Sequence, residues 1–200
     1  MKEIIDHYEC LIDEDNDPVR DVQILRDYMD KWDGKGFLDE LKLDKSKTVL
    51  EIGIGTGRLA IKVIPNCKHF TGIDFSAKTI KRANENLAEL ENKTLICSDF
   101  LEYSFESKFD IIYSSLTFLH IKEKQKAINI IANLLEEEGR FVLSVSKDQS
   151  NELDFGTRKV PLYPDNPQDI KTYLTNAELK LLKEIETEFA WIIVTTTLYR

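Results

Sequence analysis

Between residues 48 and 146, short apolar runs alternate with longer segments in which apolar residues recur at helical spacing. The apolar runs predict strands at residues 48–53, 69–74, 94–99, 109–115 and 140–146. The segments between them predict helices at residues 57–64, 76–91 and 122–137. Short apolar strands separated by helices are typical of a parallel sheet that is covered on both faces.

The C-terminal part of the chain departs from this alternation. A helix predicted at residues 167–178 is followed by two runs, 180–189 and 190–200, that have no helix between them. The second run is rich in β-branched and aromatic residues, which favours strands. The pattern therefore predicts an α/β fold, with a doubly wound, Rossmann-like and mostly parallel seven-stranded sheet that ends in an antiparallel C-terminal strand pair.

Two stretches of the chain lie outside the predicted sheet and its flanking helices. Residues 1–40 contain a helix predicted at 18–31, with Asp17 as its cap, and we predict that they form an N-terminal helical lid. The lid would cover a cofactor-binding domain of residues 41–200. Within that domain, residues 147–168 hold three of the five prolines, and we predict that they form a substrate-side insertion.

Composition limits the classes of protein to which the chain can belong. With 200 residues, of which 42% are hydrophobic, it can build one core of ordinary size and is not disordered. No apolar run reaches the roughly 20 residues of a membrane span. The acidic N-terminus does not resemble a signal peptide, so we expect a cytoplasmic protein. The three cysteines and three histidines are scattered, which argues against a metal site.

The net charge of −9 is unevenly distributed. Residues 1–40 hold 13 acidic and 5 basic residues, a balance of −8, whereas residues 41–200 carry only −1. An acidic surface repels nucleic acid, so neither nucleic acid nor a membrane is an expected partner. The pattern leaves the oligomeric state open.

The segment with the strongest chemical signal is residues 51–57, which read EIGIGTG. It joins the strand predicted at 48–53 to a helix, and open parallel sheets bind ligands just beyond their strand ends. The glycines permit a sharp turn and a close approach of the ligand. The N-terminus of the following helix attracts a carboxylate or a phosphate.

Two classes of nucleoside cofactor use this geometry. Dinucleotide enzymes need G-x-G-x-x-G, followed by an acidic residue about 20 positions later. Here Gly57 comes one position early and Arg58 stands where the third glycine belongs. Asp74 lies 21 residues after Gly53, but an acidic residue there binds ribose in both classes. An NAD-type oxidoreductase is therefore the first alternative.

Residues 48–200 resemble the class I S-adenosylmethionine-dependent methyltransferases in four successive motifs: the glycine turn, GIDFS at 72–76, CSDF at 97–100 and FDIIYSS at 109–115. The resemblance implies that Asp74 binds the ribose of S-adenosylmethionine and that Asp99 binds its adenine amino group. The cofactor-binding residues that it implies are Glu51, Gly53, Ile54, Gly55, Thr56, Gly57, Asp74, Phe75, Ser76, Ser98, Asp99, Phe100 and Ser114.

The resemblance also implies the reaction, which is in-line displacement of a methyl group from S-adenosylmethionine to an acceptor, with S-adenosylhomocysteine as product. Such a displacement needs neither a metal nor a covalent enzyme intermediate. Residues 114–121 lack the Asn/Asp-Pro-Pro-aromatic signature of enzymes that methylate nucleobases or glutamine. An unidentified small molecule is therefore the expected acceptor and partner. A non-catalytic S-adenosylmethionine-binding protein is the second alternative.

Three side chains are candidates for contact with the acceptor. His120 follows the fourth predicted strand, and it is the candidate catalytic residue that would take a proton from the acceptor. Trp32 and Tyr163 are the aromatic candidates in the lid and the insertion. Because acidic walls concentrate cations, we expect a neutral or cationic acceptor rather than an anionic one.

Overall fold

The computed structural model describes residues 2–197, so the last three residues of the predicted final strand, 198–200, lie outside the described residues. The helices are α1 (Lys2–Asp13), α2 (Gln23–Met29), α3 (Gly34–Glu40), α4 (Ala60–Val63), α5 (Ala77–Asn86), α6 (Lys124–Leu134) and α7 (Pro167–Asn176), with short 3-10 turns at Ile64–Asn66 and Phe118–His120. The strands are β1 (Thr48–Ile52), β2 (His69–Asp74), β3 (Lys93–Cys97), β4 (Phe109–Ser114), β5 (Leu135–Ser146), β6 (Glu152–Asp154), β7 (Lys159–Pro161), β8 (Leu179–Glu186) and β9 (Ala190–Thr197).

Seven of the strands form one sheet in the order β3-β2-β1-β4-β5-β9-β8. Strands β1 to β5 run parallel, and β9 is antiparallel to both of its neighbours, β5 and β8. The strand order reverses between β1 and β4, which opens a crevice at their carboxyl ends. The doubly wound, mostly parallel seven-stranded fold predicted from the sequence is confirmed.

The sheet has a separate apolar core on each face because side chains alternate along a strand. Leu50 of β1 belongs to the core that includes Ile128 of α6 and residues of α7. Its neighbour Val49 belongs to the other core, which includes residues of α4 and α5 and Phe37 of α3. Both faces of the sheet are therefore covered. The carboxyl ends of the parallel strands are the edge at which a ligand can bind.

The predicted helix at 122–137 is wrong at its C-terminal end. The helix stops at Leu134, and residues 135–138 join strand β5. Leu135, with φ −77° and ψ 138°, has an extended backbone that ends the helix, and Glu138 follows in a left-handed conformation with a φ of 58°. The pairing of β4 with β5 shifts register at this point, between Phe109 and Ile111.

The predicted helix at 18–31 is wrong in both extent and burial. Only α2 is helical there, and none of its residues is buried. Leu25, an apolar residue of α2, is 47% exposed. Asp17 does not cap this helix, because α2 begins at Gln23 after Val22. The Asp17 carboxylate instead accepts hydrogen bonds from Val19 N–H, the Asn86 side chain and Arg82.

The N-terminal helix α1 packs over the main domain. It contacts α5 and the small β6–β7 hairpin, which lies within residues 147–168. Arg158 of that hairpin binds the Glu14 carboxylate with two hydrogen bonds of 2.6 and 2.8 Å, and it donates to His7 Nδ1 at 2.9 Å. The N-terminal segment and the predicted insertion therefore lie against each other.

Much of the acidic charge of residues 1–40 is used in ion pairs with basic residues of the rest of the chain. These pairs are Asp13–Lys78, Glu14–Arg158, Asp15–Arg82, Asp17–Arg82, Asp33–Arg58, Glu40–Arg140 and Glu40–Lys183. The charge asymmetry of the sequence therefore serves mainly to attach the N-terminal segment to the domain. Within residues 2–197, no helix is long and apolar enough to cross a membrane.

Candidate cofactor and acceptor site

The glycine turn after β1 is bound to the end of the neighbouring strand β2. The N–H groups of Gly53 and Ile54 both donate to the Ile73 carbonyl, at 2.9 and 3.2 Å. Gly53 has a φ of 77°, and a Cβ at this position would lie 2.0 Å from Thr117 Oγ1. Only glycine lets the loop after β4 approach so closely. A Cβ at Gly55 would meet no atom within 4 Å, so the turn leaves open space there.

Two cavities flank this turn. The β2–β3 cavity, of about 260 Å³, lies beside the ends of β2 and β3 and is lined by Asp74, Phe75, Ser98, Asp99, Phe100 and Tyr163, among others. The turn cavity, of about 190 Å³, is lined by Glu51, Gly53, Ile54, Gly55, Thr56 and Arg58, among others. Gly53, Asp74 and Phe75 line both, so the two cavities share a wall.

Asp74 is fixed at the shared wall by the backbone. Its carboxylate accepts hydrogen bonds from the N–H groups of Gly55 and Ser76, at 3.1 and 3.0 Å. Burial raises the pKa of Asp74, although these hydrogen bonds act in the opposite direction. A ligand that donates hydrogen bonds, such as a ribose with its hydroxyl groups, would compensate for that burial.

A third cavity, the lid cavity, has a volume of about 200 Å³ and lies where the N-terminal segment meets residues 147–168. Its lining includes Tyr8, Trp32, Leu116, His120, Asp148 and Leu162. Trp32 therefore lines this cavity, whereas Tyr163 lines the β2–β3 cavity. The two predicted acceptor-contacting aromatic residues are thus separated. His120 lines all three cavities.

His120 is 6% exposed, and its Nε2 lies 2.7 Å from Tyr8 Oη. Burial, together with electrostatic interactions with His7 and Lys124, lowers the pKa of His120 to about 4. The imidazole is therefore neutral at physiological pH. A neutral ring at the junction of the cavities can exchange hydrogen bonds with a ligand without carrying charge into the site.

Three of the predicted cofactor-binding residues lie behind the cavities and line none of them. Gly57 packs against Leu87, Ser76 caps helix α5 by accepting from Thr79 N–H, and Ser114 donates to the Ile52 carbonyl at 2.9 Å. These residues support the turn and the strand ends rather than facing open space.

A buried carboxylate network connects the N-terminal segment to the glycine turn. Asp33, whose side chain is fully buried, forms a bidentate pair with the Arg58 guanidinium. The same carboxylate accepts from Ser115 Oγ at 2.6 Å and from Gly34 N–H at 2.6 Å. Arg58 lines the turn cavity, so Asp33 orients a cation at the wall of that cavity.

A second buried acid, Glu51, lies at the end of β1. It accepts a hydrogen bond of 2.7 Å from Tyr113 Oη. Burial raises the pKa of Glu51 to about 8, despite this hydrogen bond and the charge of Arg58. Glu51 is therefore largely protonated at neutral pH, and it would ionise if a cationic group of a ligand entered the turn cavity.

Sequence reasoning missed Tyr8, Asp33, Ser115 and Thr117. Tyr8 could have been found, since Ile4, His7 and Tyr8 recur at the spacing of one helical face. Asp33 has no such signal, because its partners Arg58 and Ser115 lie 25 and 82 residues away. Within residues 2–197, no group of three potential ligand side chains is arranged to bind a metal ion.

Away from this site, a larger cavity of about 320 Å³ is lined by Lys108, Leu135, Glu136 and Thr197, among others. Lys108 precedes β4, so this cavity lies at the amino ends of the parallel strands, opposite the glycine turn. Ligands of doubly wound sheets bind at the carboxyl ends, which favours the three smaller cavities as the functional site.

Residues 43–188 match a family described as "Methyltransferase domain". The chain is 27% identical over 185 residues to an uncharacterized methyltransferase of Staphylococcus carnosus, a match that covers 91% of this chain and 77% of that protein. It is 32% identical over 103 residues to malonyl-[acyl-carrier protein] O-methyltransferase 1 of Ilyobacter polytropus, a match covering 50% of this chain and only 38% of that relative's length.

Among solved structures, the chain is similar to the N-methyltransferase NodS from Bradyrhizobium japonicum WM9 in complex with S-adenosyl-L-homocysteine. The TM-score is 0.69 and the sequence identity 19%, with 90% of this chain and 91% of that chain covered. At this identity, the similarity establishes the fold.

We expect Asp33→Asn to destabilise the protein. The substitution keeps the shape of the side chain but leaves the mostly buried Arg58 guanidinium without its bidentate counter-ion. The free energy of unfolding, measured by urea denaturation, should fall by about 3 kcal/mol. In the matched control Asp39→Asn, the lost partner is the exposed Lys35, and the change should stay below about 0.5 kcal/mol. Equal effects of both substitutions would contradict a structural role for the Asp33 carboxylate.

The raised pKa of Glu51 predicts a pH dependence of stability. The folded protein keeps the Glu51 proton up to about pH 8, whereas the unfolded chain loses it near pH 4.5, so the Glu51 contribution to stability falls as pH rises between these values. Glu51→Gln cannot titrate. The unfolding free energy of Glu51→Gln minus that of the wild type should therefore increase by about 1.4 kcal/mol for each pH unit that the pH rises in this window. Parallel pH profiles for the two proteins would refute the raised pKa.

Proposed function

The chain belongs to the methyltransferase domain family and is a class I S-adenosylmethionine-dependent methyltransferase, and from this premise we propose that its acceptor is a small neutral or cationic molecule bound in the lid cavity. The observation that carries the proposal is the meeting of three cavities at His120. Two of them suit a nucleoside joined to an amino acid, and the third suits a separate acceptor.

The residues around the β2–β3 and turn cavities fit S-adenosylmethionine in charge and in shape. Asp74 and Asp99 offer carboxylates to ribose hydroxyls and an adenine amino group, both of which donate hydrogen bonds. Asp99 is oriented by the N–H of Leu101, which donates to it at 2.8 Å. The open space at Gly55 would admit the methionyl part against the backbone of the turn.

The opposite charges in the turn cavity suit the two ends of an amino acid. Arg58 would attract the carboxylate of the methionyl part, and Glu51 would ionise beside its ammonium group. When bound, S-adenosylmethionine supplies a methyl group on a sulfonium. The chain contributes orientation of the two reactants and exclusion of water, the latter through α1 and residues 147–168, which cover the site.

The lining of the lid cavity supports the proposed acceptor class. It contains the aromatic rings of Tyr8 and Trp32 and the carboxylate of Asp148, and it includes no lysine or arginine. Aromatic faces and a carboxylate attract neutral or cationic molecules. The acidic residues of the N-terminal segment, many of which pair with basic residues of the domain, contribute less to this preference than the net charge indicates.

An anionic acceptor is disfavoured by the same lining. One relative is named a malonyl-[acyl-carrier protein] O-methyltransferase, and an acceptor of that kind presents a carboxylate. The lid cavity provides no lysine or arginine side chain with which to bind one. We therefore assign this chain an acceptor different from the one in that relative's name.

Calorimetric titration with S-adenosylhomocysteine tests the proposed cofactor site. Asp74→Asn removes the charge that we assign to the ribose hydroxyls, a loss of about 1.5–3 kcal/mol that weakens binding by about tenfold or more. The control Asp110→Asn removes a carboxylate that binds Thr48 and Lys47 near the start of β1, and it should leave the affinity unchanged. Tighter binding of NAD than of S-adenosylhomocysteine, or an unaltered affinity of Asp74→Asn, would overturn the assignment.

A panel of small amines, phenols and carboxylic acids tests the acceptor class. Methyl transfer from labelled S-adenosylmethionine should favour amines and phenols. Asp148→Asn removes the carboxylate at the lid cavity and should raise KM for cationic amines while leaving KM for neutral phenols within about twofold. Turnover of carboxylic acids alone would contradict the proposed acceptor while leaving the cofactor site intact.

A further inference from the structure

Helix α1 places the hydroxyl group of Tyr8 next to His120, the residue that lines all three cavities. Tyr8 lines both the turn cavity and the lid cavity, and its Oη lies 2.7 Å from His120 Nε2. Its ring also packs edge-on against Phe75, with ring centroids 5.9 Å apart. The two partners lie 112 residues apart in sequence, so the contact exists only because α1 folds over the carboxyl ends of the strands.

The number of available hydrogens indicates which partner donates in this contact. Burial, reinforced by the charge of Asp74, raises the pKa of Tyr8, so the phenol keeps its hydrogen. His120 Nδ1 is buried and has no hydrogen-bond partner. Donation from Nε2 to Oη would leave two groups without a partner, the phenolic hydrogen and the buried Nδ1. Donation from Oη to Nε2 leaves only the hydrogen on Nδ1 without a partner, and this arrangement is therefore favoured.

We propose that Tyr8 is a positioning residue that keeps His120 in the tautomer with its hydrogen on Nδ1, so that His120 serves the acceptor as a hydrogen-bond donor. The inference rests on the proposed methyl transfer. The Nδ1–H group would bind an oxygen or nitrogen lone pair next to the atom that is methylated. The acceptor class is thereby narrowed to molecules that carry such a lone pair beside the reacting atom.

The charges around His120 favour a role as hydrogen-bond donor over a role as proton-accepting base. His7 on α1 and Lys124 on α6 both oppose a positive charge on the ring, and burial acts in the same direction, so its pKa is about 4. A base of this strength does not take a proton from an ammonium group effectively. The proposal therefore gives His120 an orienting role in place of the proton-accepting role that the sequence predicts. A cationic amine must lose its proton to solvent before methyl transfer.

The tautomer can be read directly from nitrogen-15 magnetic resonance of the histidine rings at neutral pH. The chain has only three histidines, and spectra of His7→Asn and His69→Asn assign the remaining ring. In the wild type we expect His120 to carry its hydrogen on Nδ1, with an unprotonated Nε2, down to about pH 5.5. Tyr8→Phe keeps the aromatic ring and removes the hydroxyl, so the single tautomer should be replaced by a mixture.

Tyr28→Phe is the matched control, because the Tyr28 ring packs against Trp32 and Phe189 instead. It should leave the His120 signals unchanged. A wild-type ring with its hydrogen on Nε2, or a Tyr8→Phe spectrum identical to the wild type, would overturn the proposal. The wild-type spectrum decides the matter even if Tyr8→Phe does not fold.

Calorimetry with S-adenosylhomocysteine separates this inference from the proposed function. Failure of the wild type to bind S-adenosylhomocysteine would refute the proposed function, whereas the wrong tautomer in a protein that binds it would refute the role of Tyr8 alone.

Discussion

The geometry of the site depends on the buried carboxylate of Asp33. It lies between three segments that are distant in sequence: the start of α3, the glycine turn through Arg58 and the loop after β4 through Ser115. A buried carboxylate is stable only when charge and hydrogen bonds compensate its lost hydration. Because all three segments contribute that compensation, their positions are fixed relative to one another.

The arrangement of the three cavities follows from the way in which Asp33 fixes these segments. The loop after β4 continues from Ser115 to Thr117, which contacts the turn at Gly53, and then to His120, which lines every cavity. Helix α1 covers the same region, with Tyr8 in contact with His120. The ion pairs Asp13–Lys78 and Glu14–Arg158 attach the N-terminal segment to the domain. The site is therefore assembled from the sheet edge and the N-terminal segment together.

The fold and the location of the candidate site were predictable because they rest on local patterns. Strand periodicity predicted the sheet, and the glycine turn predicted open space at the carboxyl ends of the strands, where the turn cavity lies. The boundaries of α2 and α6 were not predictable, since the Asp17 carboxylate is bound by α5 and Leu135 adopts an extended backbone within a helical sequence pattern. The roles of Tyr8 and Asp33 depend on contacts across 112 and 82 residues, which no local pattern encodes.

The most direct measurement is a crystal structure of the protein with S-adenosylhomocysteine. Adenosine should lie in the β2–β3 cavity, with the ribose hydroxyls on Asp74 and the adenine beside Asp99, and the amino acid part should lie in the turn cavity. The thioether sulfur should then face the ring of His120. Adenosine bound instead in the cavity beside Glu136, at the amino ends of the strands, would contradict the account.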